Sequence, residues 1–115
     1  MIILDTIEYS FADELVVGFS YDSAGKKISI TFESYSKNNQ HVDKKCNLTI
    51  DSWIEGESKI HGQEKYGELE INLGIPSLLL SVDQYESVIV ITINTLDDRY
   101  VVLRFVGAHI KVYNV

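Results

Sequence analysis

The chain has 115 residues, a net charge of −7 and a single cysteine, Cys46. That length fits one domain spanning 1–115 with a real core, and a lone cysteine excludes an intrachain disulfide, so folding needs no oxidising compartment. An apolar fraction of 45% and a charged fraction of 23% exclude a disordered or low-complexity chain.

The dominant hydrophobic period is two, which is the signature of strands with one buried face. Leu15, Val17, Phe19 and Tyr21 alternate with Glu14, Val16, Gly18 and Ser20. Asp22-Ser23-Ala24-Gly25 then reads as a turn in which Gly25 supplies a positive φ. Ile28, Ile30 and Phe32 alternate with Ser29, Thr31 and Glu33, completing a β-hairpin. Residues 36–45 are polar and read as a loop. Cys46, Leu48 and Ile50 alternate with Asn47, Thr49 and Asp51 in the next strand, and Ile54 continues its apolar face.

The polar stretch 55–67 has room for a short strand near Ser58–His61. Leu69, Ile71 and Leu73 alternate with Glu68, Glu70 and Asn72, a one-sided strand pattern. After Pro76, the chain's single proline, Leu78, Leu79, Val82 and Tyr85 fall on one face of a short helix. A strand ending near Val82 is the competing reading. Val88–Ile93 is β-branched and apolar except for Thr92, which suits a central strand covered on both faces. Thr95-Leu96-Asp97-Asp98 reads as a turn, residues 100–106 as a strand, Gly107-Ala108 as a turn and residues 109–115 as the last strand. The expected fold is mainly β: an antiparallel sandwich or small barrel of seven to nine strands with at most one short helix.

Charge is unevenly spread. Met1–Gly25 carries −5 with no Lys or Arg, Asp51–Glu70 carries −4, and the remainder sums to +2. A field of this sign repels phosphate backbones and disfavours nucleic acid, while it speeds the encounter with a basic protein. It also keeps any chain dispersed, with no partner implied. Only three residues after Met1 are apolar, no signal-peptide pattern is present, and no apolar run is long enough to span a bilayer. A cytoplasmic protein without membrane association is therefore expected.

Catalytic and metal patterns are missing. His41, His61 and His109 lack zinc-site spacing, and no second cysteine completes a set with Cys46 and His41. Cys46 takes an inward position on its strand, where a buried, inert thiol is expected. Asp97 and Asp98 read as solvated turn residues. There is no nucleophile elbow, phosphate loop or dinucleotide fingerprint. No catalytic residue, metal or cofactor is predicted, and an enzyme assembled from distant residues would need a cleft with a strongly shifted carboxylate or histidine.

The aromatics offer a binding surface instead. Trp53 falls on the same strand face as Asn47, Thr49 and Asp51, and Tyr35 on that of Ser29, Thr31 and Glu33. If their strands are neighbours, both rings share a polar face, where Trp and Tyr among carboxylates form an interface hot spot. A bulge or covering loop that buries Trp53 is the alternative. The predicted partner-binding residues are Asp13, Glu14, Asp22, Glu33, Tyr35, Asp51, Trp53, Glu55 and Glu57.

The acidic start, the hairpin YDSAGKKISITF (21–32), the strand CNLTIDSW (46–53) and the closing FVGAHIKVYNV (105–115) resemble the small immunity proteins of bacterial toxin systems, such as those of contact-dependent growth inhibition. That resemblance implies a cytosolic protein that binds one cognate basic toxin domain, many of them nucleases, and occludes its active site. No functional residue transfers position by position. The rival is a carbohydrate- or small-ligand-binding β-sandwich that uses Trp53 and tyrosines as a stacking platform. Oligomeric state is open, since edge strands can pair between chains.

Overall fold

The computed structural model describes residues 9–10, 14–38 and 40–114, so Asp13 of the predicted set lies outside the described residues. The elements in chain order are β1 (Tyr9–Ser10), β2 (Glu14–Asp22), β3 (Lys27–Phe32), β4 (Tyr35–Lys37), β5 (Gln40–Val42), β6 (Cys46–Asp51), β7 (Glu55–Ile60), β8 (Gly67–Glu68), α1 (Leu69–Asn72), β9 (Pro76–Tyr85), β10 (Val88–Thr95), β11 (Tyr100–Val106) and β12 (His109–Asn114). Nine strands form one antiparallel sheet in the order β12-β6-β3-β2-β9-β10-β11-β7-β8, and β1-β4-β5 form a small second sheet. The protein is mainly β with one short helix, as its two-residue period predicts. Among the described residues, no helix is long and apolar enough to cross a membrane.

The large sheet has two halves. Strands β12, β6, β3 and β2 make one; β9, β10, β11, β7 and β8 make the other. Among the described residues they join through two residue pairs, Glu14↔Leu79 and Leu15↔Leu78. Each half turns one alternating face inward: Ile28, Ile30, Phe32, Leu48, Ile50 and Ile110 from the first, and Ile89, Ile91, Ile93, Leu103 and Phe105 from the second, all in one contiguous buried cluster. Burying such a side chain contributes roughly 1.5–3 kcal/mol, so this shared core holds the two halves together. Tyr35 on β4 is buried in the same cluster, and Val42 on β5 packs against it, so the small sheet covers part of the core.

The hairpin β2–β3 forms, but the bulge at Val17 splits the expected buried face: Val16, Phe19 and Tyr21 pack on the core, while Leu15 and Val17 are exposed. Nor is Gly25 its left-handed residue; Lys26 is, at φ 50°. Gly25 is needed for space instead. Its N–H donates to Asp22 Oδ1 at 2.9 Å, and a Cβ there would meet the same carboxylate at 2.5 Å. Strands β3 and β6 are neighbours, with Lys27 opposite Asp51 and Phe32 opposite Cys46. The polar stretch after Tyr35, read as a loop, closes as the β4–β5 hairpin, with Asn38 in left-handed conformation.

The helix is found in a different place from the one the pattern suggested. Leu78–Tyr85 lies inside the ten-residue strand β9. A register shift between Thr92 and Ile93 leaves Leu80 without a partner on β10, so Leu79 faces Ile93 and Val82 faces Ile91. The bulge spaces these two apolar residues by three, which imitates a helical stripe. The helix is instead Leu69–Asn72, where alternation suggested a strand. Only Leu69 is buried there. Tertiary bonds fix the turn: Ser58 Oγ donates to the carbonyls of Glu68 and Leu69, and Asn72 Nδ2 donates to the Ser58 carbonyl.

Strand β10 is central, between β9 and β11, but only one of its faces is covered. Ile89, Ile91 and Ile93 are buried, while Val88, Val90 and Thr92 are half-buried on the outer face.

Trp53 and Tyr35 are not exposed. Trp53 is 6% and Tyr35 5% exposed. Strand β6 ends at Asp51, Ser52 adopts φ 60°, and the period-two register is lost. The Ser52 N–H bonds the Lys26 carbonyl and the Ile54 N–H bonds the Val106 carbonyl, so the chain crosses between the two halves with Trp53 turned inward. Its indole stacks tilted on Phe105, ring centres 4.8 Å apart. Tyr35 departs from the β3 pattern because β3 stops at Phe32 and Tyr35 opens a strand of the small sheet.

Truncating Trp53 should therefore act on stability. Trp53→Ala is expected to cost about 3–5 kcal/mol, read from a denaturant titration. Ile71→Ala, at an exposed position, should stay within about 0.5 kcal/mol.

Candidate functional surface at the β7–β8 edge

Strand β8 ends the sheet and pairs only with Glu57 and Ser58 of β7, so Glu55 and Gly56 lie on an open sheet edge. A broad groove of 590 Å³ runs along this edge between Ile54, Glu55 and Glu57 on one side and Tyr66, Gly67 and Glu68 on the other. Its floor is built from below. Gly56 faces the core opposite Phe105, and a Cβ at that position would stand 2.9 Å from Trp53 Nε1. The buried indole thus occupies the space that a side chain at residue 56 would need, and the glycine lets β7 lie close over it.

Three carboxylates line the groove. Glu57 is paired with Arg104 at 2.9 Å, both side chains about one-third exposed. Glu55 and Glu68 make no ion pair among the described residues. Ile54 projects beside them, 74% exposed, against the backbone of Gly107. Tyr66 is half-buried, with Lys59 Nζ 4.7 Å above its ring and the Arg104 guanidinium at 5.9 Å. Burial pushes the Tyr66 phenol up. An exposed aliphatic and a partly covered aromatic thus stand among carboxylates at this edge, a composition common at protein interfaces.

Helix α1 extends the negative surface. Glu68 leads into it, and Glu70 on its first turn accepts a hydrogen bond from the Tyr21 hydroxyl at the end of β2. This contact joins the two acidic stretches across 49 residues of chain. Burial, then the Glu70 hydrogen bond, push the Tyr21 phenol up to about 12, with Asp22 adding to the effect. The same bond holds the Glu70 carboxyl below its usual range.

The predicted residues separate into distinct places. Glu55 and Glu57 lie in the groove. Asp22 is at the end of β2, committed to the Gly25 amide. Asp51 lies opposite Lys27 on β3 and 3.9 Å from His109 Nδ1, so bases already face it. Glu14 is at the start of β2, where it accepts from Ser34 Oγ at 3.0 Å. Glu33 is exposed between β3 and β4. Glu14 and Asp22 are about 26 Å apart along an extended strand, so these two acids do not share one patch. Tyr35 and Trp53 belong to the core. The sequence reading missed Ile54, Tyr66 and Glu68 as groove residues; only the charge of Glu68, within the acidic stretch, pointed there.

Elsewhere, Cys46 is buried and burial pushes its thiol up to about 11, so little thiolate forms near neutral pH. Asp97 is held below its usual range by the Thr95 hydroxyl and by Arg99, an arrangement that orders the β10–β11 turn. Among the described residues, no three of His, Cys, Asp and Glu converge as a metal site requires.

In comparisons with protein-family models, with characterised proteins and with solved structures, the chain matches none.

The Tyr21–Glu70 contact gives a two-sided pH signature. Glu70 has a depressed pKa in the folded state, so its contribution is present above the ordinary carboxylate range and is lost as pH falls through the folded value. Tyr21 has a raised one, so its contribution is present below pH 10.0 and is lost as pH rises toward about 12. Phenolate absorbance should show one tyrosine ionising near 12 that disappears in Tyr21→Phe and ionises earlier in Glu70→Gln.

Proposed function

We propose that this chain is a cytoplasmic immunity protein that captures a cationic toxin domain on the acidic β7–β8 edge and blocks its active site. The observation that supports this reading most is the groove itself: Glu55, Glu57 and Glu68 surround exposed Ile54 at an open strand edge, with Arg104 as the countercharge on Glu57. Such a surface combines an apolar anchor with a negative rim. The rim steers a basic partner and sets orientation, and the anchor and edge give residence. Arg104 holds Glu57 in place across the neighbouring strand, so part of the rim is ordered before the partner arrives. The general resemblance to toxin-immunity proteins in the hairpin and closing strands agrees with this function. The carbohydrate-stacking alternative relied on Trp53 and tyrosines; Trp53 is buried against Phe105 and not available for stacking, while Tyr85 and Tyr100 remain exposed.

The test is association kinetics with the toxin domain encoded by the adjacent gene. The association rate should fall by about tenfold or more between low and high salt. The double reversal Glu55→Lys/Glu68→Lys should slow association by about tenfold while leaving the melting temperature unchanged, and should abolish protection of cells that express the toxin. A rate indifferent to salt and to both reversals would sink this assignment.

A further inference from the structure

A second surface, apart from the acidic edge, opens where the two halves of the sheet separate. Strand β2 is paired with β3 as far as Asp22, but among the described residues its pairing with β9 stops after Leu15. The reason is local. Strand β9 begins at Pro76, which has no N–H to donate, and Val17 is an unpaired bulge residue between Val16 and Gly18. From Val16 onward, β2 therefore has a neighbouring strand on one side only among the described residues. The Tyr21–Glu70 hydrogen bond closes the far end of this gap. An open run of about five residues remains, Val16 to Ser20, the length of a common strand.

The gap is a cleft of 350 Å³ lined by Val16, Val17, Phe19, Ile75, Pro76 and Leu96. Val17, Ile75 and Leu96 are each about half exposed or more, and Leu15 stands exposed at the entrance. The surrounding charge is negative. Glu14 stands at the entrance, exposed Asp97 and Asp98 follow Leu96 in the β10–β11 turn, and Glu70 stands at the closed end. Arg99 pairs with Asp97 and bonds the Asn72 carbonyl, so those two charges offset each other and Glu14, Glu70 and Asp98 carry the net negative charge. Lys26 and Lys27 lie beyond Asp22 in the hairpin turn.

We propose that the open edge of β2 is a strand-addition site for an extended polypeptide segment whose alternate side chains are apolar and whose flanks carry Lys or Arg. The segment's backbone bonds to β2 between Val16 and Ser20, its apolar side chains enter the cleft, and its basic flanks meet Glu14 at one end and Asp98 near Leu96 at the other. Main-chain pairing gives the affinity, and the apolar floor with the acidic rim gives the selectivity. A second copy of this chain is a poor occupant, because each copy brings a charge of −7 to the contact.

The probe is a capped synthetic peptide, Lys-Lys-Val-Thr-Val-Thr-Val-Lys-Lys, and the readout is residue-resolved amide hydrogen exchange with chemical-shift mapping on the whole chain. Millimolar peptide should slow exchange of the β2 amides facing the gap by about tenfold and shift Val17, Ile75 and Leu96. A peptide with Glu in place of every Lys should bind at least about tenfold more weakly. The variants Val17→Glu and Leu96→Asp, both at exposed positions, should abolish the protection and keep the fold, whereas Glu55→Lys at the other surface should leave it intact. The proposal is overturned by absent protection, by equal binding of both peptides, or by protection that rises with protein concentration alone, which would assign the edge to self-association.

Discussion

The structure turns on the crossing at Ser52–Ile54. Among the described residues, the two halves of the large sheet pair directly at Glu14↔Leu79 and Leu15↔Leu78. The crossing supplies a second seam. One backbone bond ties Ser52 to the β2–β3 turn at Lys26, another ties Ile54 to the end of β11 at Val106, and Trp53 packs between them on Phe105. These two backbone bonds find their partners in opposite halves. The left-handed φ at Ser52 accompanies the turn that aims the indole inward.

The acidic groove follows from this seam. With the indole beneath residue 56, only glycine fits there without displacement. The close approach of β7 leaves Glu55 and Glu57 on its upper side. Strand β8 is short because the chain turns at once into α1, held by the Ser58 hydroxyl. That early end leaves part of the β7 edge open. Core packing and surface chemistry are therefore coupled through one aromatic residue that never meets solvent.

The outer faces differ in how completely they satisfy themselves. On the β6–β3 side, Ser29, Thr31, Asn47 and Thr49 form a hydrogen-bonded ladder, so that face has few free polar groups to offer. At the β2 opening, the strands part and backbone groups face a cleft instead. On the β7–β8 edge, carboxylates outnumber their partners. Both proposed binding surfaces lie where the described pairing of the sheet stops.

Much of the fold was legible in the sequence because period two is a local signal. The existence of the β2–β3 hairpin, of β6 and of β11 follows from alternation and turn residues, that of β10 from its β-branched run, and the burial of Cys46 from its place on β6. The excess of acid between Asp51 and Glu70 was likewise visible. Three things were decided only by tertiary structure. The bulge at Leu80 made a strand look helical, since one extra residue shifts every later side chain across the sheet. The helix at Leu69–Asn72 exists through bonds from Ser58, far away in local pattern. The outward face assigned to Trp53 was overturned by one left-handed residue. The sequence determined which residues are apolar, acidic and able to form strands; where pairing begins, slips and ends depended on contacts between segments distant in the chain, and those contacts chose which acids share a surface.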